Sequence, residues 1–344
     1  MKLLPIQGTR IKLLLLSLMH LATDGLCAYL VLARLYPENS ALSFAIFIGY
    51  NFLAFVMEAP LGILIDKQSS QRLFLGASTV SILLGYVFYD LPVLAVLFLG
   101  LGNALFHIAG GKYITDKSGN DVAYLGIFVS TGAIGLTLAG TYPELDVLAY
   151  ILFSLLIICT LNMLFTKDPE NRKDTATYQA TKRGATVALL SVVAVVFARS
   201  FVGKVATPDF HLTRLLVFAI PLATAFGKAI GGILSRALGI LPTTIASMSI
   251  AAVCLVLGAS NPALYILGVF AFNFSMPITL YYANIILKGN EGFAFGSLAA
   301  ILMPGYLIAM LCSYSIWIKI LTAVLCLFSV LVIAIISKRI KYAD

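Results

Sequence analysis

Apolar runs of about 20 residues, parted by short polar stretches, repeat along the whole chain, and a helix of that length crosses the hydrocarbon of a bilayer. On that ruler about twelve spans are predicted. The first six lie near 11–35, 40–64, 71–90, 92–114, 121–142 and 146–166. A polar stretch from Lys167 to Arg183 follows, the longest connection. Six more spans are expected near 184–206, 212–235, 240–259, 262–287, 291–313 and 315–337. The other connections are very short, so successive helices are expected to run antiparallel and pack tightly.

The pattern repeats within itself. Gly62-Ile63-Leu64 recurs as Gly232-Ile233-Leu234, an offset of 170 positions. The same offset pairs Asn103 with Asn273, Asn120-Asp121 with Asn290-Glu291, Gly126 with Gly296, and Gly135 with Gly305. Several polar and glycine matches at one offset indicate duplication. The expected fold is an all-α polytopic membrane protein of two six-helix pseudo-repeats, with a site near the midplane between them. The expected halves are 1–166 and 184–344, joined by the linker 167–183.

Composition adds little to this. Of 344 residues 60% are hydrophobic and 11% charged, with mean hydropathy +1.00. The first apolar run is too long for a signal-peptide core and lacks a small-residue cleavage site. The net charge of +8 reads as a topology signal rather than nucleic-acid binding, because its basic residues fall on alternate connections. They are Lys2, Arg10 and Lys12 at the N-terminus, then Lys67, Arg72, Lys112 and Lys117. The linker has Lys167, Arg172, Lys173, Lys182 and Arg183; Arg236, Lys288, Lys338, Arg339 and Lys341 follow. Arg34, Lys204 and Arg214 are the exceptions. Both termini and the linker are therefore expected in the cytoplasm, with the chain in a cell membrane, and its short loops suit a bacterial inner membrane. Cys27, Cys159, Cys254, Cys312 and Cys326 lie in apolar runs and are expected to be free and buried.

The candidate chemistry is the polar residues inside the spans. An ionisable group there costs about 2.5–3.5 kcal/mol on insertion scales and marks function by default. His20 and Asp24 are one turn apart on one helix face. A carboxyl in apolar surroundings is penalised for ionising, which suits Asp24 to load and release a proton; a static pair with Arg199 is the alternative. Asn103, His107 and Gly111 share a face of the fourth span. Glu58 either joins the proton pathway or snorkels to the interface, and Lys228 is expected to snorkel. Pro277 and Pro304-Gly305 are candidate hinges. No full metal-ligand set is visible, so neither metal nor cofactor is expected.

Gly62-Ile-Leu-Ile-Asp66-Lys67, followed by Arg72, resembles the loop signature between helices two and three of the major facilitator superfamily. There Gly62, Asp66, Lys67 and Arg72 would gate the cytoplasmic side. The second-half copy is degenerate, with Ser235 and Arg236 in its place. His20-Leu-x-x-Asp24 and Asn103-x-x-Phe106-His107 resemble the fosmidomycin resistance family of that superfamily. So do Gly126-x-Phe128, Gly132-x-x-Gly135, Phe197-Ala-Arg199-Ser200, Pro277-x-Thr279-Leu280 and Gly292-x-Ala294-x-Gly296. That family carries Pro and an acidic residue after the fourth-helix His, where this chain has Ile108 and Ala109. The resemblance implies that helices one, four, seven and ten line the cavity. Asp24, His20 and Glu58 become proton-coupling candidates, and Asn103, His107, Arg199, Asn273 and Ser275 substrate-binding candidates.

The function expected is proton-coupled secondary transport by alternating access, exporting a small organic molecule or drug as a monomer in the lipid bilayer. Import of a small anionic or zwitterionic metabolite by proton symport is the alternative. A membrane-embedded enzyme is disfavoured, since no Gly-x-Ser-x-Gly elbow or His-Glu-x-x-His helix is present. A channel is a further alternative, and the absence of a phosphate-binding Gly-x-x-x-x-Gly-Lys-Ser/Thr loop excludes that route to ATP.

Overall fold

The computed structural model describes residues 6–342 except 69, 143, 313 and 314; Lys2 lies outside the described residues. Among the described residues, eleven helices are long and apolar enough to cross a membrane. In chain order they are α1 (Gly8–Glu38), α2 (Ser43–Asp66), α4 (Pro92–Ser118), α5 (Val122–Thr141), α6 (Asp146–Phe165), α7 (Lys182–Val205), α8 (Arg214–Leu238), α9 (Ile240–Ser260), α10 (Pro262–Ile286), α11 (Glu291–Met310) and α12 (Ile316–Ser337). The twelfth, α3 (Gln71–Val87), has 17 residues.

The boundaries follow local chemistry. Thr181, Thr213, Asn261 and Ser315 cap α7, α8, α10 and α12, their side chains accepting from the first free N–H groups. α4 runs past the expected 114 and stops at Gly119, whose φ of +67° suits a residue without Cβ. Four spans are irregular inside. α1 has a π-helical stretch at Ala28–Leu35 and α2 one at Phe52–Val56. α10 breaks at Asn273 and Phe274, just before Pro277, and α11 at Ile301, just before Pro304. Each proline removes an N–H that a continuous helix would use about a turn earlier.

The start of α1, the linker and the segment that follows α12 meet on one face. Lys12 Nζ donates to Thr166 Oγ1 at 2.7 Å and lies 3.7 Å from Asp168. Asp168 also takes Arg72 Nε at 3.2 Å and the Tyr113 hydroxyl at 2.7 Å. The linker is thus pinned rather than loose. Its strand β1 (Ala176–Tyr178) pairs antiparallel with β2 (Ile340–Tyr342) at the other end of the chain.

On this linker face the two sets of helices are sealed against each other. The Asp66 carboxylate, at the end of α2, accepts from the Gly292 and Phe293 N–H groups at 2.8 Å each. Those groups are unpaired donors at the start of α11, where the helix dipole favours a negative charge. The pseudo-symmetric contact joins the end of α8 to the start of α5, with Arg236 3.1 Å from Asp121. Asn284 of α10 donates to Asn120 at 2.9 Å, and Asn120 donates to the Tyr281 carbonyl at 3.2 Å.

Two gating candidates are placed elsewhere. Arg72 donates to the Met163, Leu164 and Thr166 carbonyls and pairs with Asp168, so it braces α3 against α6 and the linker. Lys67 is exposed. The cation beside Asp66 is Lys112, 3.7 Å from Asp66, 3.4 Å from Asp116 and 3.1 Å from Glu291. Four cysteines are free and buried; Cys312, expected to be buried, is exposed beyond the end of α11.

Candidate functional site

α1, α2 and α4 bring five polar side chains into one buried cluster, and α5 walls it. His20 and Asp24, one turn apart on α1, place Nε2 3.2 Å from Oδ2. α4 supplies Asn103, whose amide donates to Asp24 Oδ1 at 3.0 Å, and His107, whose Nε2 lies 3.3 Å from the same oxygen. The two imidazoles meet Nε2 to Nε2 at 2.9 Å. α2 supplies Glu58, 1% exposed, with Oε1 3.2 Å from His107 Nδ1. The contact is an ion-pair distance rather than a hydrogen bond, and neither His107 Nδ1 nor Glu58 Oε2 has a hydrogen-bond partner among the described residues. Glu58 therefore does not snorkel, and the basic partner that Asp24 lacks in Arg199 it finds in two histidines.

Phe106 and Phe128, both fully buried, flank the His20 ring at centroid distances of 5.4 and 5.0 Å. The Phe128 carbonyl fixes that ring by accepting from Nδ1 at 2.8 Å. The bare backbone of Gly132 completes the wall. A Cβ there would stand 2.1 Å from Asp24 Oδ2 and 2.3 Å from His20 Nε2. Gly132→Ala is expected to push these side chains apart and destabilise the protein by about 1–3 kcal/mol, the usual cost of overpacking. A lower melting temperature in detergent than that of wild type checks it.

Proton arithmetic follows from these distances. A carbonyl only accepts, so His20 Nδ1 carries a proton. At 2.9 Å one Nε2 carries a proton and the other presents its lone pair, since two N–H groups would collide. A proton on His20 makes that ring cationic beside Asp24. A proton on His107 leaves His20 neutral. Both rings touch Asp24, so one short transfer moves a proton from the ring held by the Phe128 carbonyl to the ring that also faces Glu58.

His20, Asp24 and His107 could also hold a metal ion, since one ligand atom from each lies within 4.8 Å of the others. The 2.9 Å separation of the two Nε2 atoms is hydrogen-bond spacing, and Asn103 occupies one carboxylate oxygen. The arrangement fits a shared proton more closely than a metal.

A second feature lies in the other set of helices. α7, α8, α9, α10 and α11 enclose a cavity of about 340 Å³. Arg199, Ser200, Thr224, Lys228 and Asn273 line it, with apolar walls from Ile220, Leu255, Phe272 and Met276. Lys228 does not snorkel: it sits ten residues, about 15 Å of helix, before α8 ends at Leu238. Ser275, a binding candidate, is buried and donates its hydroxyl to the Phe272 carbonyl at 2.9 Å, within its own helix. It does not line the cavity. Asn103 and His107 belong to the α1–α4 cluster, so the substrate-binding candidates divide between two places.

Sequence reasoning passed over Gly132 as a steric element, the Phe128 carbonyl, Lys112 and Asp168. Lys112 and Asp116 stand four residues apart near the end of α4, an ion-pair spacing and a signal that was available. The backbone carbonyl left none.

No protein-family model and no curated protein sequence matches the chain. Solved structures do. FucP, a major facilitator superfamily transporter in the outward conformation, shares 13% identity over 95% of this chain and 99% of its own, with a TM-score of 0.71. The human organic anion transporter MFSD10 shares 14% over 94% and 99%, with a TM-score of 0.70. A bacterial homologue of the iron transporter ferroportin, in an outward-facing state, shares 14% over 96% and 100%, with a TM-score of 0.59. Twelve helices, the duplicated order and full-length similarity to these structures agree: the chain is a multi-pass, all-α membrane protein with the major facilitator fold.

Proposed function

We propose that the protein is a proton-coupled secondary transporter of a small solute, working by alternating access. The halves 1–166 and 184–344 rock about the midplane, and the linker 167–183 stays on the cytoplasmic side with both termini. The observation that carries the coupling is the buried chain Asp24–His20–His107–Glu58, in which one proton is shared across 2.9 Å. A buried set of titratable groups in a membrane-spanning core is costly unless used, and this one links α1 to α2 through α4. Rocking the halves would change which end of the chain meets water.

Export of a small organic molecule from a bacterial cell is the direction proposed, on the motif resemblance to fosmidomycin resistance proteins. Import by proton symport reverses the sign of one observable. In proteoliposomes holding a pH dye, a transported solute applied outside should alkalinise the lumen by exchange or acidify it by symport. The compound panel spans phosphonates, cationic drugs and small metabolites. A protonophore should abolish solute accumulation in either case. Accumulation that survives collapse of the pH gradient would remove proton coupling from the proposal.

A further inference from the structure

Arg199 on α7 and Lys228 on α8 are cations inside the membrane-spanning core, and among the described residues neither has a carboxylate partner. Arg199 Nη1 is buried with no hydrogen-bond partner. Each such charge is costly to place at mid-membrane, and such groups are ordinarily paired. No carboxylate lines the cavity they share. Asp24 is within Coulombic reach of Lys228, but its oxygens are engaged by His20, His107 and Asn103.

The neutral polar groups sharpen the point. Ser200 gives its proton to the Leu302 carbonyl at 2.6 Å, and Thr224 gives its own to the Ile220 carbonyl at 3.4 Å. Asn273 commits one amide proton to the Val269 carbonyl at 2.8 Å. The donors left strongest and unspent are the guanidinium and the ammonium. A guanidinium fork binds a carboxylate or a tetrahedral oxyanion in two-point fashion. The remaining walls are mostly apolar.

We propose that this cavity binds the transported solute as a small organic anion, its carboxylate or phosphonate head held by Arg199 and Lys228 and its apolar body against α9 and α10. This rests on the transporter reading above. It assigns Lys228 to the solute and places recognition in the C-terminal half, with proton handling in the N-terminal half.

The test is equilibrium binding to the full chain in detergent at fixed pH, with no proton gradient. Benzoate and phenylphosphonate are the probes, with phenyltrimethylammonium as the cationic control, read by titration calorimetry. Binding of either anion is expected, and the tighter of the two identifies the head group. Arg199→Met and Lys228→Met should each weaken it about tenfold or more, the value of one charge-assisted hydrogen bond, and Arg199→Lys should weaken it less. Both Met variants should melt no lower than wild type, since each removes an unpaired buried charge. Unchanged anion affinity in both Met variants, preference for the cation, or a fall in their melting temperature would overturn the site. Anion binding without proton movement in proteoliposomes would keep the site and remove the coupling. Proton movement driven by cationic compounds, without anion binding, would do the reverse.

Discussion

Asp24→Asn is expected to abolish solute-driven proton movement while leaving the protein folded. The amide has nearly the volume of the carboxylate, and its oxygen can still accept from Asn103, which now donates at 3.0 Å. Its NH₂ group would face His20 Nε2, 3.2 Å away, and must donate to a lone pair there. His20 Nδ1 is already committed to the Phe128 carbonyl. His20 is then fixed as a neutral ring whose one Nε2 lone pair is taken by the amide, and His107 Nε2–H is left to donate to the amide oxygen, from which it now lies 3.3 Å in the carboxylate form. The variant keeps a donor for each acceptor and loses the exchange between the two rings. Coupled proton flux should fall about a hundredfold or more, toward the dye's background, as when a positioned proton-transfer group is removed. Melting temperature should change little. Coupling preserved in Asp24→Asn would make this a structural charge and shift the role to Glu58, which stands at the other end of the chain.

How much of this was legible beforehand depends on the kind of interaction. Span number and the duplication could be read because length and the repeated Gly and Asn positions are one-dimensional. The pairing of Asn120-Asp121 with Asn290-Glu291 even located the two starts of helices that meet opposing helix ends, through Asp66 on one side and Arg236 on the other. The degenerate second copy looked weak because an acid was sought; there the charge is inverted, with the acid at Asp121. His20 and Asp24 could be joined by helical spacing. Joining them to His107 and Glu58 required the packing of α1, α2 and α4, which no spacing encodes. Lys228 was misplaced for a related reason: a long basic side chain on an apolar helix has the same sequence signature whether it reaches out to headgroups or in to a cavity. Arg72 was read as a gating residue from its closeness in sequence to Asp66, and Lys112 was passed over. The fold turns Arg72 toward Asp168 and brings Lys112 from a different helix.

Gly62→Ala should separate turnover from binding. At the crossing of α2 and α11 a Cβ on Gly62 would stand 2.4 Å from the Gly292 carbonyl oxygen and 2.8 Å from the Phe293 nitrogen. These are backbone atoms, so no rotamer change relieves the contact; the helices must part by about 1 Å to reach van der Waals separation. The same two residues donate to Asp66 at 2.8 Å, and those bonds lengthen together with the crossing. Overpacking of this kind costs about 1–3 kcal/mol. Here it is levied only on the arrangement with the linker face sealed, so the population of that arrangement falls about 5- to 150-fold relative to its alternative. Solute transport in proteoliposomes should fall about tenfold to a hundredfold with it, since a cycle that cannot seal one face cannot alternate. Equilibrium anion affinity, set by Arg199 and Lys228 in the other half, should change far less. Gly140→Ala is the matched control: a Cβ at Gly140 meets nothing within 4 Å, and the change favours a helix by about 1 kcal/mol. Its transport should equal wild type. Equal transport by Gly62→Ala would show that the α2–α11 crossing does not control the cycle, whereas lost transport with retained binding places the rate-limiting closure at this glycine contact.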